Sequence, residues 1–191
     1  IPPNDDMAAD LKARALAARL ARRGRTEAPR RWVVLTRDTA AAVPPAPTGL
    51  ALRRIGPAEA PAAGRTFRLA YGLPPAFDDW IAALAGRPGW QGYAAFDGPA
   101  IVATALLFLG GDRAILTGAA TLPAARGRGA QRALIALRLA DARAAGAGIV
   151  QSHTGLPVAD ERNPSLDNMR AMGFRPSHVR RNFALPPDAG A

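Results

Sequence analysis

The sequence predicts an α/β (α+β) fold: a mixed, mostly antiparallel twisted sheet with helices on both faces, preceded by an N-terminal helix and strand. Three observations carry that expectation. Between residues 90 and 122 three apolar runs are joined by Asp97-Gly98 and by Gly110-Gly111-Asp112, turn chemistry that suits hairpins and therefore an antiparallel meander. After the meander a long helical pattern separates two strands, and a crossover helix requires the second strand to return parallel to the first. The 191 residues, 49% of them hydrophobic, are enough for one substantial core.

Taken in order, residues 4–23 form an alanine-rich helix with Asn4 or Asp5 as cap, Ala9, Ala13, Leu16, Ala17 and Leu20 on one stripe, and Gly24 as stop. RWVVLTRD follows as a short strand. One helix and one strand cannot make a core, so residues 1–38 either pack on the main body or are the tail of a further lobe, and the second alternative is preferred. The proline-rich residues 39–47 read as a linker, 48–187 as the main domain and 188–191 as a tail.

Within the main domain the order is a strand at LALRRIG, a helical region around 57–70, and a second helix at FDDWIAALAG with Asp78 or Asp79 near its start. The meander WQGYAAFDG, PAIVATALLFLGG and RAILTGAATL comes next. In the long helix Ala130, Ala133, Leu134, Leu137, Ala140 and Ala144 recur at helical spacing, Arg138 and Asp141 are expected to pair one turn apart, and Gly146 is the stop. AGIVQSHTG is a strand, 163–172 a helix with Asn163 as cap and Pro164 in its first turn, and FRPSHVRRNFAL after Gly173 the last strand.

The chemistry centres on Arg126, Gly127, Arg128 and Gly129, a turn between a strand and a helix. Glycines let backbone N–H groups approach a ligand, and the first N–H groups of the helix lack partners, so an anion settles there. A P-loop is excluded because no Lys followed by Ser or Thr closes the turn, and the dinucleotide fingerprint fails because Arg132 stands where its third glycine belongs.

The turn resembles the acyl-CoA pyrophosphate loop of the GNAT superfamily of N-acyltransferases: Gln or Arg, two residues, Gly, one residue, then Gly or Ala. Here the pattern falls on Arg126, Gly129 and, as a departure, Gln131. The element order over residues 48–186 is similar to that superfamily, and NPSLDNMRAMGF matches a second feature through Asn163, Ser165, Asn168, Gly173 and Phe174, with Asn163 one place later than the pattern expects.

The resemblance implies acetyl-CoA as cosubstrate and acetyl transfer to a primary amine by direct attack in a ternary complex. It implies that the backbone near Ala120, Thr121 and Leu122 pairs with the pantetheine arm, with Gly118 supplying a bulge. It implies that N–H groups of Arg126, Gly127, Arg128, Gly129, Ala130 and Gln131 hold the pyrophosphate, with Asn163 and Asn168 near the cofactor. The superfamily's common base, a Glu on the fourth strand, is missing from RAILTGAATL, and its common acid, a Tyr, is replaced by Met169. His153 is the substitute base, since its unperturbed pKa near 6.5 suits proton transfer. Ser165 is the substitute acid, and Tyr71 or Tyr93 are further groups that reach the site from elsewhere. Trp80, Trp90 and Phe96 are candidates for an acceptor pocket, with Asp78, Asp79 or Asp97 attracting a cation.

The formal charge of +10 favours an anionic partner, yet all but one of the 25 basic residues are arginine and aromatics do not interleave with them, which disfavours nucleic acid. No cysteine and two histidines leave no thiolate site and no zinc site in view. No run approaches a membrane span and the opening lacks an apolar signal core, so a cytoplasmic enzyme is expected, with a homodimer or a preceding lobe left open. The alternative is a catalytically weak acyl-CoA-binding sensor or partner module, and after it a basic nucleic-acid binder.

Overall fold

The computed structural model describes residues 3–184, with side chains from Leu11 onward. The elements are α1 (Pro3–Arg22), β1 (Thr26–Glu27), β2 (Trp32–Asp38), β3 (Ala51–Ile55), α2 (Ala60–Tyr71), α3 (Asp78–Leu84), β4 (Trp90–Asp97), β5 (Ala100–Gly110), β6 (Arg113–Thr121), α4 (Ala130–Ala144), β7 (Ile149–Gly155), α5 (Pro164–Ala171), β8 (Arg175–Arg180) and β9 (Phe183–Ala184). Helix α1 already runs from Pro3, so Asn4 and Asp5 lie in its first turn. Their side chains, that of Ala9 and the tail at 188–191 are outside the described residues.

Seven strands form one sheet in the order β3-β4-β5-β6-β7-β2-β8, and β1 and β9 make a separate two-stranded ribbon. All neighbours in the large sheet are antiparallel except β6 and β7, which run parallel as the crossover through α4 requires. The meander turns at Gly98 (φ +56°) and Gly111 (φ +67°), left-handed positions that Asp-Gly and Gly-Gly-Asp suit.

Two helical layers cover the sheet. Helices α4 and α5 supply Leu134, Ile135, Leu139, Leu166 and Met169 to the main core, against Leu35, Tyr93, Leu107, Leu116 and Val150 of the strands. On the other face Phe67 of α2 and Ile81 of α3 pack on Leu106 and Ala120. No helix among the described residues is long and apolar enough to cross a membrane.

The N-terminal strand is where the arrangement departs furthest from a local reading. β2 lies between β7 and β8 and pairs antiparallel with both, Val34 facing His153 on one side and His178 on the other. Val33, Val34 and Leu35 are at most 2% exposed, so a run expected to belong to a separate N-terminal segment packs within the main sheet. Leu11 and Leu16 of α1, by contrast, are exposed. The proline-rich residues 39–47 lie on the body. Thr39 Oγ1 donates to Ala147 O at 2.6 Å, and Arg37 donates to the carbonyls of Ala41 and Ala42.

The expected Arg138–Asp141 pair does not form. Asp141 Oδ2 accepts from Arg54 Nε at 2.8 Å and from the Tyr93 hydroxyl at 2.7 Å, two partners on β3 and β4. Arg138 lies on the helix face that carries Leu134 and Ile135 and is buried with them.

Candidate functional site

The site is built by strand separation. β6 and β7 pair from Arg113–Ile149 to Leu116–Ser152 and no further, so Thr117–Thr121 and His153–Gly155 diverge. A bulge assists. Thr104 faces Ala120 and Leu106 faces Thr117, so β6 spends three steps where β5 spends two, and the surplus falls at Gly118 and Ala119. Gly118 takes φ +56°, and a Cβ there would stand 2.9 Å from Leu106 Cδ1. At the apex Ser152 is buried and its hydroxyl donates to Leu116 O at 2.9 Å, tying the last paired residues together.

A cleft of about 960 Å³ opens from this apex. Its upper end is the turn before α4. Gly127 (φ +78°) and Gly129 (φ +81°) are left-handed, and none of the backbone N–H groups from Gly127 to Arg132 finds an acceptor among the described residues. A concavity of free N–H groups at the start of a 15-residue helix attracts anions through both hydrogen bonding and the helix dipole. Gly129 also has a packing reason: Pro47 passes beneath it, and a Cβ would stand 2.4 Å from Pro47 O.

Of the residues named from sequence, Ala120, Thr121, Arg126, Gly127, Gly129, Ala130 and Gln131 line the cleft, as do His153, Asn163, Ser165 and Asn168. Leu122 does not: its N–H donates to Val102 O at 2.9 Å, because β6 still follows β5 at that point. The Arg128 side chain also turns away, forming a two-pronged pair with Asp97, whose carboxyl the guanidinium holds below its ordinary range. That pairing occupies Asp97, and Arg68 engages Asp78 at 2.6 Å. Trp80 lines the cleft, whereas Trp90 packs on Phe108 and Phe96 lies under Arg53. Tyr93 is fully buried, and burial and Asp141 push its phenol up, so it stays protonated and away from the site. Tyr71 does reach the cleft, its hydroxyl donating to Ala119 O at 2.9 Å within the bulge.

Gln131, the departure from the loop pattern, joins the two helices. Its Nε2 donates to Ser165 Oγ at 2.9 Å, and its Oε1 accepts from Asn168 Nδ2 at 2.8 Å. Asn163 caps α5 by accepting from the N–H groups of Ser165 (3.0 Å) and Leu166 (3.2 Å), while its amide donates to Thr154 Oγ1 at 3.1 Å and to Gly155 O. One side chain thus fixes α5 to the end of β7. Asn163→Ala is expected to cost about 1–2 kcal/mol, measured as a fall of ~2–8 °C in Tm for a chain of this size.

His153 is half-buried, its ring 5.2 Å from that of Trp32 and tilted by 38°. Burial, with the nearby Arg180 charge, pushes its pKa below the ordinary 6.5, so the imidazole is neutral at pH 7. Trp32 was invisible as a site residue from sequence, because β2 reaches His153 only through the sheet order. Arg138 was missed as well. It lines the cleft at 1% exposure, donates to the carbonyls of Leu134 (3.0 Å), Leu106 (2.9 Å) and Thr117 (3.4 Å), and burial pushes its pKa down to about 9. No Asp or Glu lines the cleft among the described residues.

No protein-family model matches the sequence, and no curated protein matches it either. Solved structures do. A GCN5-related N-acetyltransferase from Sphaerobacter thermophilus is 20% identical, with a TM-score of 0.67 over 88% of this chain and 56% of that one. A GCN5-related N-acetyltransferase from Kribbella flavida is 21% identical, with a TM-score of 0.67 over 90% of this chain and 64% of that one. AAC(6')-Iy, in complex with the bisubstrate analog CoA-S-monomethyl-acetylneamine, is 17% identical, with a TM-score of 0.55 over 67% of this chain and 92% of that one. The chain therefore spans less than two thirds of the length of the first two, and what the three likenesses show is the fold.

Proposed function

From a fold shared with GCN5-related N-acetyltransferases, we propose that the chain binds an acyl-CoA in this cleft and transfers its acyl group to a primary amine, with acetyl the first acyl group to test. The observation that carries the reading is the cleft's form: parallel strands that part at Leu116 and Ser152, ending at a cradle of free N–H groups from Gly127 to Arg132. The N–H groups suit a pyrophosphate, and Arg126 and Arg132 in the lining add charge. The stretch of β6 beyond Leu116, no longer paired to β7, suits the amides of a pantetheine arm.

A bound thioester would supply an acyl group already activated for attack. The protein's part is alignment, which can be worth about 7–11 kcal/mol, and proton handling. As the amine nitrogen bonds to the acyl carbon, His153 takes the proton it sheds, and the C–S bond breaks. Ser165, whose oxygen already accepts from Gln131, keeps its hydroxyl proton to give to the departing sulfur and regains one from solvent, to which His153 returns the proton taken from the amine. The exposed rings of Tyr71 and Trp80, on either side of Phe67, form the rim by which an acceptor would enter.

The test is thermal. CoA at 100 times its Kd is expected to add ~2.7 kcal/mol, a rise of several degrees in Tm, and no rise would sink the reading. Release of free thiol from acetyl-CoA with an amine panel then reports turnover. One observation favours a second reading, an acyl-CoA-binding module without turnover: no carboxylate lines the cleft among the described residues, so nothing anionic there draws an ammonium acceptor. That reading expects stabilisation by CoA and no thiol release.

A further inference from the structure

We propose that the acyl group this cleft accepts ends in a carboxylate, as in a dicarboxylic acid held as its mono-CoA thioester, and that Arg138 is the residue that reads it. The inference rests on the acyl-CoA reading above. Arg138 is the largest fully buried side chain, yet its hydrogen-bond partners are the neutral carbonyls of Leu134, Leu106 and Thr117. An arginine inside a protein without a carboxylate partner is costly, and an anionic ligand relieves the cost. The lining offers no such partner, because among the described residues it holds Arg126, Arg132, Arg138 and His153 and no Asp or Glu.

Position separates this guanidinium from the phosphate cradle. Arg138 lies eight residues beyond Ala130 on α4, about 12 Å along the helix axis at ~1.5 Å per residue. It reaches the apex of the parted strands, donating to the carbonyl of Thr117, the first residue of β6 beyond its last pair with β7. It arrives from α4, the helix whose start forms the cradle, and not from the aromatic rim of α2 and α3. A ligand anchored by phosphates at Gly129 and running down the cleft therefore presents its far end, the acyl group, to Arg138. Its three carbonyl contacts occupy Nε and Nη1 and fix the guanidinium's orientation beforehand, which leaves Nη2 to donate a charge-assisted hydrogen bond to a carboxylate. The product would be an amide carrying a terminal carboxylate.

Titration calorimetry with CoA, butyryl-CoA and succinyl-CoA tests this, because the last two share a four-carbon chain and differ in the terminal group. Succinyl-CoA is expected to bind about ten- to a hundredfold more tightly than butyryl-CoA. Arg138→Met is expected to erase that preference and leave the Kd of CoA itself unchanged. Equal binding of the two by the native protein, or a preference that survives Arg138→Met, overturns the proposal. If Arg138→Met has no cooperative melt, Arg138→Lys carries the test: the preference should shrink, and an undiminished one overturns the assignment. CoA that binds without preference strikes this inference alone, whereas CoA that does not bind brings down the acyl-CoA reading with it.

Discussion

His153→Gln is expected to lower kcat/KM for the amine acceptor by about 10²–10⁴-fold, the usual contribution of a positioned general base, while the Kd for CoA stays nearly unchanged. The reason lies in the pKa. Half-buried against Trp32 and near Arg180, the imidazole titrates below its ordinary 6.5 and is a free base at pH 7. In the native protein kcat/KM should therefore fall as pH drops through that lowered value, and the variant should lack this acid limb. Stability should follow the same sign. A folded-state pKa below the unfolded one means that the unfolded chain binds more protons in between, so the contribution is present above pH 6.5 and lost as pH falls through the folded value. A variant that keeps the limb, or loses less than a few-fold in rate, removes His153 from the chemistry.

Gly129→Ala is expected to damage binding and fold together, and Gly127→Ala to affect mainly binding. Both positions are left-handed, so each alanine carries backbone strain of about 1–3 kcal/mol. Only at Gly129 is there also a collision, with Pro47 O 2.4 Å from the new Cβ, while nothing stands within 4 Å at Gly127. Relief at Gly129 requires the turn to lift from the chain beneath it, which rotates the N–H groups that form the cradle. The Kd for CoA should rise at least about tenfold, with the larger Tm loss at Gly129. Equal Tm losses for the two variants would show that residues 39–47 give way easily and do not set the turn.

Much of this was written locally. Asp97-Gly98, the Asn163-Pro164 cap and Gly173 (φ +83°) each settle their own few residues, so the boundaries of β4, β5 and α5 could be read from sequence. The cradle was legible for the same reason, being a single turn followed by its own helix. What escaped depends on partners distant in the chain. Asp141 had an arginine one turn away and took Arg54 and Tyr93 instead, because two strands brought donors to it that helical spacing cannot reveal. Arg138, released from that pair, became the most unexpected group in the cleft. Gln131 looked like a flaw in the loop pattern and proved to be a brace between α4 and α5.

The place of β2 has a consequence for how the molecule comes to be folded. Val34 finds its neighbours at His153 and His178, so the strand made near the start must wait for the two made near the end. Closing loops of more than a hundred residues is entropically expensive, and topologies dominated by such pairings fold slowly. On the ribosome the meander of β4, β5 and β6 can form early and β7 can add to β6, but β8 has no strand to pair with until β2 is drawn in beside β7. Until then the apex at Leu116 and Ser152 lacks its outer wall, and ligand binding becomes a property of the finished chain.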